Sequence, residues 1–154
     1  MVQIFCTVGT TKFDILVSTI SSPEFLLFLQ EGSKDFKVDK IVIQHGKSIP
    51  NQTKSKNLMR NPNPNPNQYN PNPNPNQYNP NPNWITLTLT LSTATTQSLK
   101  VEFYDYKKSL KQDMQEADLV VCSGGSGTIL ECLEMGRKVL VVPNPTLQGT
   151  IRVE

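Results

Sequence analysis

The sequence lacks any apolar run that approaches the roughly 20 residues a helix needs to cross a bilayer. Its start, MVQIFCTVGTT, has no basic segment ahead of a short apolar stretch, which indicates a first strand rather than a secretory signal peptide. We therefore expect a cytoplasmic chain that reaches a membrane only through a partner protein.

Cysteine is also scarce. Cys6, Cys122 and Cys132 are odd in number and have no CxxC spacing, which argues against a disulfide framework and a structural zinc site. We expect them to be small core residues. The formal net charge is only +2, so a broad nucleic-acid interface is not indicated, and neither a metal nor a cofactor is expected.

The sequence has a single histidine and one group of neighbouring lysines that could have a function. His45 follows a predicted strand, but nothing in the sequence supplies an orienting partner, so we predict a solvated loop residue rather than a catalytic base. Lys107, Lys108 and Lys111 surround a predicted helix start. They are suited to anionic lipid, although such a group is more typical of an ordinary solvated face.

A repeat interrupts the chain in its middle. Residues 61–83 repeat the unit NPNPNPNQY, whose prolines remove amide donors and whose asparagines add no apolar area, so a disordered, solvated stretch is expected. The following ITLTLTLS, residues 85–92, alternates as a half-buried strand does. An alternative interpretation is that CCCTAA repeats, whose frames encode Pro-Asn and Leu-Thr, produced residues 61–91 as an insertion or retained non-coding segment.

The flanks of this insertion predict one α/β domain over residues 1–154. Alternating strand and helix patterns are typical of a doubly wound, mostly parallel sheet, here a Rossmann-like one. Strands are predicted at 2–8, 40–44, 101–104, 119–121 and 139–142, and helices over 13–20, from Pro23, from a capping box at 109–112 and after a glycine-rich turn at 123–128.

Three predictions concern burial. The helix from Pro23 is expected to place Phe25, Leu26, Phe28 and Leu29 in the core. The last helix is expected to turn Ile129, Leu130 and Leu133 toward the sheet. The apolar run 139–142 is expected to be a fully buried parallel strand.

A glycine-rich turn follows the strand at 119–121. Its glycines let a backbone approach a phosphate, and its hydroxyls can donate to one. On the helix that follows, Thr128 and Glu131 share a side, so Glu131 could accept hydrogen bonds from both hydroxyls of a ribose. The candidate binding residues here are Ser123, Gly124, Gly125, Ser126, Gly127, Thr128 and Glu131.

The spacing fits none of the common glycine motifs. GxGxxG lacks its third glycine, GxxxxGK[ST] lacks its lysine, and GxSxG lacks its last glycine. An alternative is that the glycines only close a tight connection and that Glu131 is solvated. Local spacing leaves both interpretations open.

Three stretches carry a resemblance: FCTVGTTKFDILV, IVIQHGK at 41–47, and VEFYDYKKSLKQDMQEADLVVCSGGSGTILECLEMGRKVLVVPN at 101–144. In combination and order they resemble the soluble catalytic subunit family of the UDP-N-acetylglucosamine transferase that acts second in dolichol-linked oligosaccharide synthesis. The resemblance implies a GT-B half-domain, similar to the nucleotide-sugar-binding half of the bacterial lipid II-forming enzyme. Its implied partner is a membrane-anchored subunit at the cytosolic face of the endoplasmic reticulum, which supplies the lipid acceptor site.

The same resemblance implies a reaction and a site. N-acetylglucosamine would pass from UDP-N-acetylglucosamine to N-acetylglucosaminyl-diphosphodolichol with inversion, in a heterodimer. Glu131 would grip the ribose, and Gly9, Thr10 and Thr11 would face the donor diphosphate; no general base is assigned.

The chain departs from the family pattern at two places. Ser123 stands where the family has a histidine, and the usual Asn-His-Gln segment does not follow Asn144. The alternative is therefore a truncated, non-catalytic isoform that binds a nucleotide or a partner.

Overall fold

The computed structural model describes residues 2–31, 37–50, 85–90 and 98–146. The Asn-Pro repeat at 61–83 and its predicted disorder lie outside the described residues, as do residues 147–154. Within the described part, the chain forms an α/β fold, as the sequence predicts.

Six strands of the described residues form a sheet, in the order β3-β4-β2-β1-β5-β6. Five of them are mutually parallel, and β3 adds to one edge by antiparallel pairing with β4. The strands are β1 Gln3–Thr7, β2 Lys40–Gln44, β3 Ile85–Thr90, β4 Ser98–Tyr104, β5 Leu119–Cys122 and β6 Lys138–Val141. The described helices are α1 Asp14–Ile20, α2 Pro23–Glu31, α3 Lys111–Glu116 and α4 Ser126–Glu134.

The alternating segment ITLTLTLS forms a strand over its first six residues, and its last two lie outside the described residues. Residues 85–90 form β3, in which Ile85 pairs with Phe103 and Thr90 with Ser98. Antiparallel edge strands on otherwise parallel sheets are common, so this pairing is compatible with the rest of the fold. The codon hypothesis concerns the origin of the segment, and the coding DNA remains its test.

The core lies on both faces of the sheet. Side chains of β1, β2 and β4 pack beneath α1 and α2 on one face, where Leu16, Val17 and Leu26 are buried. On the other face Phe5, Val42 and Val120 form a smaller cluster with residues of α3 and α4. All three cysteines are buried and unbridged, which confirms that they are core residues.

The predicted core of α2 is wrong for one of its four residues, Phe28. Leu26 and Leu29 are buried and Phe25 is partly buried, but Phe28 is 69% exposed. Residues three apart share one side of a helix, whereas neighbours lie about 100° apart. Since Leu26 and Leu29 take the side that faces the sheet, Phe28 cannot also lie there.

The predicted burial of α4 and β6 is also wrong. Leu130 and Leu133 are each 59% exposed and Ile129 is only partly buried, while Cys132 makes the buried contact with the sheet. Leu140 of β6 is 52% exposed. Strand β6 is the outermost described strand on its side, so it has a neighbour on one flank only and lacks the burial of a central strand.

The capping box predicted at Ser109 does not form. Ser109 Oγ accepts a hydrogen bond from the Lys111 amide at 3.2 Å, not from the amide three residues on. The Gln112 side chain donates to Glu116 at 2.8 Å and does not return to Ser109. Helix α3 begins at Lys111, and Leu110 occupies its N-cap position.

Candidate functional site

Four loops meet at the carboxyl edge of the parallel strands. The strand ends are in register, because Thr7 pairs with both Gln44 and Cys122, and Gln44 pairs with Tyr104. We call residues 9–11 the first loop, 45–48 the second loop, 105–110 the third loop and 123–128 the glycine turn. This edge is where open α/β sheets bind ligands.

The first loop is held by hydrogen bonds within the fold. Gly9 has a φ of 64°, and its amide donates to Gln44 Oε1 at 2.9 Å and to Thr7 Oγ1 at 3.2 Å. Thr11 Oγ1 donates to the Val8 carbonyl at 2.8 Å. The Gly9 amide is therefore engaged in the fold, and Thr10 is the exposed member of the loop.

Gln44 is a site residue that sequence reasoning missed. It is only 2% exposed, and its side-chain nitrogen donates to the carbonyls of Gly9 at 2.9 Å and Asp105 at 2.6 Å. Its side-chain oxygen accepts from Thr7 and Gly9. The available signal was an amide side chain at the end of the apolar strand KIVIQ.

The glycine turn is connected, through Ser123, to the residues just before the first loop. Ser123 Oγ donates to the Val8 carbonyl at 3.3 Å, and the Ser123 amide donates to the Thr7 carbonyl at 3.2 Å. The predicted phosphate-donating role of this hydroxyl therefore competes with an internal hydrogen bond. Gly124 has a φ of 89°, a backbone conformation that favours glycine.

The rest of the glycine turn is open. Gly125 is the N-cap of α4, and no side chain of the described residues caps the helix. Gly125, Ser126 and Gly127 are exposed. Because the first amides of a helix have no partner within it, this end of α4 presents hydrogen-bond donors and a partial positive charge.

A pocket of about 370 Å³ lies between α4 and the third loop. Thr128 and Glu131 line it together, as the three-residue spacing predicts, and Glu131 is exposed. Their side therefore faces a cavity rather than an apolar interior. The full lining is Lys107, Lys108, Ser109, Leu110, Met114, Gly127, Thr128 and Glu131.

A buried ionic network supports the wall of this pocket. Asp113 accepts a hydrogen bond from Tyr104 Oη at 2.7 Å, and both of its carboxylate oxygens lie 2.8 Å from Lys107 Nζ. That ammonium also sits 4.5 Å from the centre of the Tyr104 ring. Burial, and then the hydrogen bond to Asp113 and the charge of that carboxylate, raise the pKa of Tyr104 above its usual range. The prediction of a solvated lysine face is thus wrong for Lys107, whereas Lys108 and Lys111 are exposed.

His45 is not the solvated loop residue that the sequence predicts. It is partly buried, and its amide donates to the Tyr104 carbonyl at 2.9 Å. Burial lowers the pKa of His45, although Ser48 and Asp105 act in the opposite direction. Its Nδ1 atom is buried and has no hydrogen-bond partner among the described residues.

Across the described ranges, no cluster of three or more His, Cys, Asp and Glu side chains is arranged to hold a metal. No helix in those ranges has the length and apolarity needed to span a bilayer.

Comparisons with known proteins bear on this edge of the sheet. Residues 76–150, which include the third loop, the glycine turn and Glu131, match the Glycosyltransferase family 28 C-terminal domain. The chain is therefore similar to the ALG13-like GT-B family. The resemblance predicted from its motifs is thereby confirmed.

The relatives carry the name UDP-N-acetylglucosamine transferase subunit ALG13. The human protein is 27% identical over 98% of this chain, and the mouse protein is 27% identical over 100% of it. The Candida albicans protein is 23% identical over 100% of it. This chain spans 10% of the human and mouse proteins and 52% of the Candida protein. No solved structure matches it.

Proposed function

We propose that the chain binds UDP-N-acetylglucosamine and is a subunit of an inverting glycosyltransferase. With a membrane-anchored partner it would transfer N-acetylglucosamine to N-acetylglucosaminyl-diphosphodolichol at the cytosolic face of the endoplasmic reticulum. The relatives' names and the family match support a UDP-N-acetylglucosamine transferase subunit. The acceptor, the partner and the location are implied by the sequence resemblance.

The observation that carries the proposal is the position of Glu131. This carboxylate is exposed on α4, one turn past the open helix end, and lines the same pocket as Thr128. A carboxylate can accept a hydrogen bond from each hydroxyl of a ribose. The geometry therefore suits a nucleotide whose ribose lies at Glu131 and whose base occupies the pocket beside the third loop.

The diphosphate would then lie along the glycine turn. Gly125, Ser126 and Gly127 are exposed there, and the amides at the start of α4 favour an anion. Gly124 supplies the left-handed turn that brings the backbone round to the helix. Thr10 is the exposed residue of the first loop, and Val8, just before that loop, accepts a hydrogen bond from Ser123 of the glycine turn.

Such a site would act on the reaction by holding its donor. When the sugar leaves UDP, negative charge develops on the diphosphate, and preorganised amides and hydroxyls stabilise it. Lys108, which lines the pocket and is exposed, adds a positive charge nearby. We assign no general base to this chain.

Titration with UDP, followed by NMR or calorimetry, tests the nucleotide site. Glu131→Ala is expected to weaken UDP binding about 10- to 100-fold, because charge-assisted hydrogen bonds to the ribose are lost. The control is Glu134→Ala, which removes an exposed carboxylate of the same helix that does not line the pocket. UDP binding as tight in Glu131→Ala as in the parent chain would contradict the ribose role.

A ribose-specific control sharpens the test. The parent chain should bind UDP more tightly than 2′-deoxy-UDP, whereas Glu131→Ala should bind both alike.

Transfer itself is tested by co-expression with the membrane-anchored subunit, followed by an assay with the lipid acceptor. A stable complex without transfer would instead favour the non-catalytic isoform.

A further inference from the structure

We propose that Gln44 is the positioning residue of the nucleotide site, which fixes the first loop relative to the third loop. The inference rests on the proposed function, because the loops that it joins are those placed around the donor. Gln44 ends β2 and lines no part of the pocket. Its role is therefore to place the backbone of other residues.

The side-chain amide of Gln44 uses its full hydrogen-bonding capacity. Its oxygen accepts from Thr7 Oγ1 at 2.6 Å and from the Gly9 amide at 2.9 Å. Its nitrogen donates to the carbonyls of Gly9 at 2.9 Å and Asp105 at 2.6 Å. A primary amide has two donor hydrogens and two acceptor positions, and all four are occupied here.

This pattern fixes the orientation of the amide. The Gly9 N–H requires an oxygen opposite it, and the two carbonyls require a nitrogen, so a flipped side chain would satisfy none of these three groups. A carboxylate of the same shape would place negative charge against two carbonyl oxygens. The position therefore favours glutamine over glutamate, leucine or methionine.

The contacts of Gln44 are long-range and lie on either side of the proposed donor. Gly9 begins the first loop, and Asp105 begins the third loop, which continues into the pocket wall at Lys107. Gln44 is 2% exposed, so these hydrogen bonds are shielded from water and are costly to break. The spacing between the diphosphate end and the nucleoside end of the site thus depends on one buried side chain.

The test compares UDP with uridine on the purified full chain. Gln44→Leu is expected to lower the ratio of UDP affinity to uridine affinity about tenfold, since the displaced first loop no longer serves the diphosphate. A loss of folded protein alone would weaken both ligands equally and leave this ratio unchanged.

Gln3→Leu is the matched control. Gln3 is also a buried glutamine, 6% exposed, and lies on the neighbouring strand β1 at the opposite end of the sheet. The side-chain nitrogen of Gln3 is buried without a hydrogen-bond partner among the described residues, so Gln3→Leu removes no contact to a loop and should leave the affinity ratio unchanged. In the free proteins, amide NMR signals of Gly9 and Tyr106 should shift in Gln44→Leu and stay in place in Gln3→Leu.

If Gln44→Leu does not fold, Thr7→Val tests the positioning role of Gln44. It removes the hydrogen bond from Thr7 Oγ1 to Gln44 and the longer one from the Gly9 amide to Thr7 Oγ1, and should lower the affinity ratio about threefold, because the alignment of Gln44 and the first loop is partly lost. An unchanged ratio in the folded variants, with UDP still bound, would overturn the role of Gln44 alone. A parent chain that binds no UDP would overturn the proposed function, and this inference with it.

Discussion

The first loop and the glycine turn bring glycines to the same edge of the sheet, yet they are held in opposite ways. Gly9 donates to two side chains and Thr11 to a backbone carbonyl, so the first loop is tied to the fold. In the glycine turn, Gly125 and Gly127 are exposed, and no described side chain caps α4. Glycine content therefore does not measure how firmly a loop is held.

The difference distinguishes residues that support the site from residues that can contact a ligand. A buried glutamine on β2 fixes the first loop, whereas the glycine turn keeps its amides available at the mouth of a helix. A ligand gains most from donors that the fold has not already engaged. We therefore expect substitutions around the first loop to lower stability and to change affinity only through the position of that loop, and substitutions in the glycine turn to change affinity directly.

The largest expected effect is that of Gly46→Ala on the first loop. Gly46 has a φ of 54°, and a Cβ there would lie 2.7 Å from the Gly9 carbonyl oxygen and 3.0 Å from that of Thr11. Both the left-handed backbone and the displaced loop cost free energy. We expect the free energy of unfolding to fall by about 2–4 kcal/mol, measured by denaturant titration.

Gly136→Ala is the control for the backbone term. Gly136 has a φ of 64°, but a Cβ there would meet nothing within 4 Å. This variant should lose only about 1 kcal/mol, the penalty of the left-handed conformation. If the free energy of unfolding falls equally in Gly46→Ala and Gly136→Ala, the close packing of Gly46 against the first loop does not stabilise the fold.

A smaller effect is expected from acid, through His45 in the second loop. Burial lowers the pKa of His45 in the folded chain, so the unfolded chain takes up a proton first as the pH falls. The stability that neutral His45 contributes is fully present above its ordinary pKa of 6.5, and it is lost as the pH falls through the folded-state pKa. Stability should therefore be lower at about pH 5.5 than at about pH 7.5, and less so in His45→Gln.

NMR checks this directly, because His45 is the single histidine of the chain. Its imidazole C–H signals are expected to titrate below the ordinary value, and to return to that value in denaturant. Titration at or above the ordinary value in the folded chain would contradict the partly buried position of His45.

Local patterns predict the strands of this fold well, but not which helical residues are buried. Period-two and continuous apolar runs locate β1, β2, β5 and β6. Phe28, Leu130 and Leu133 were misplaced because each helix has more apolar residues than its sheet-facing side can accept. Leu140 was misplaced because a sequence does not state which strand will be outermost.

The same limit applies to the candidate site, where spacing within one helix could be predicted and a contact between strands could not. Thr128 and Glu131 were predicted to share a side because their spacing is local to one helix. The contact of Gln44 with Asp105 spans 61 residues and depends on the register of β2 with β4. Spacing along the chain carries no information on that register, so the support of the site could not be predicted.

The smallest expected effect is that of Gly125→Ser, which would convert the open glycine turn into a capped one. Gly125 has a φ of −64° and a ψ of 122°, and a Cβ there would lie 4.0 Å from Thr128 Oγ1, so a serine fits without strain. Its hydroxyl can accept a hydrogen bond from an amide in the first turn of α4. The free energy of unfolding should then rise by a few tenths of a kcal/mol, roughly the difference between these residues at an N-cap.

The same variant should weaken UDP binding about threefold, because one amide proposed to serve the diphosphate is now engaged by the fold. Gly125→Ala tests the added side chain without a cap, and should leave UDP affinity closer to that of the parent. Denaturant titration and calorimetry on the three proteins measure both quantities. If Gly125→Ser is more stable and binds UDP as tightly as the parent, the amides of the glycine turn do not contact the ligand, and the contrast between the two loops has no role in binding.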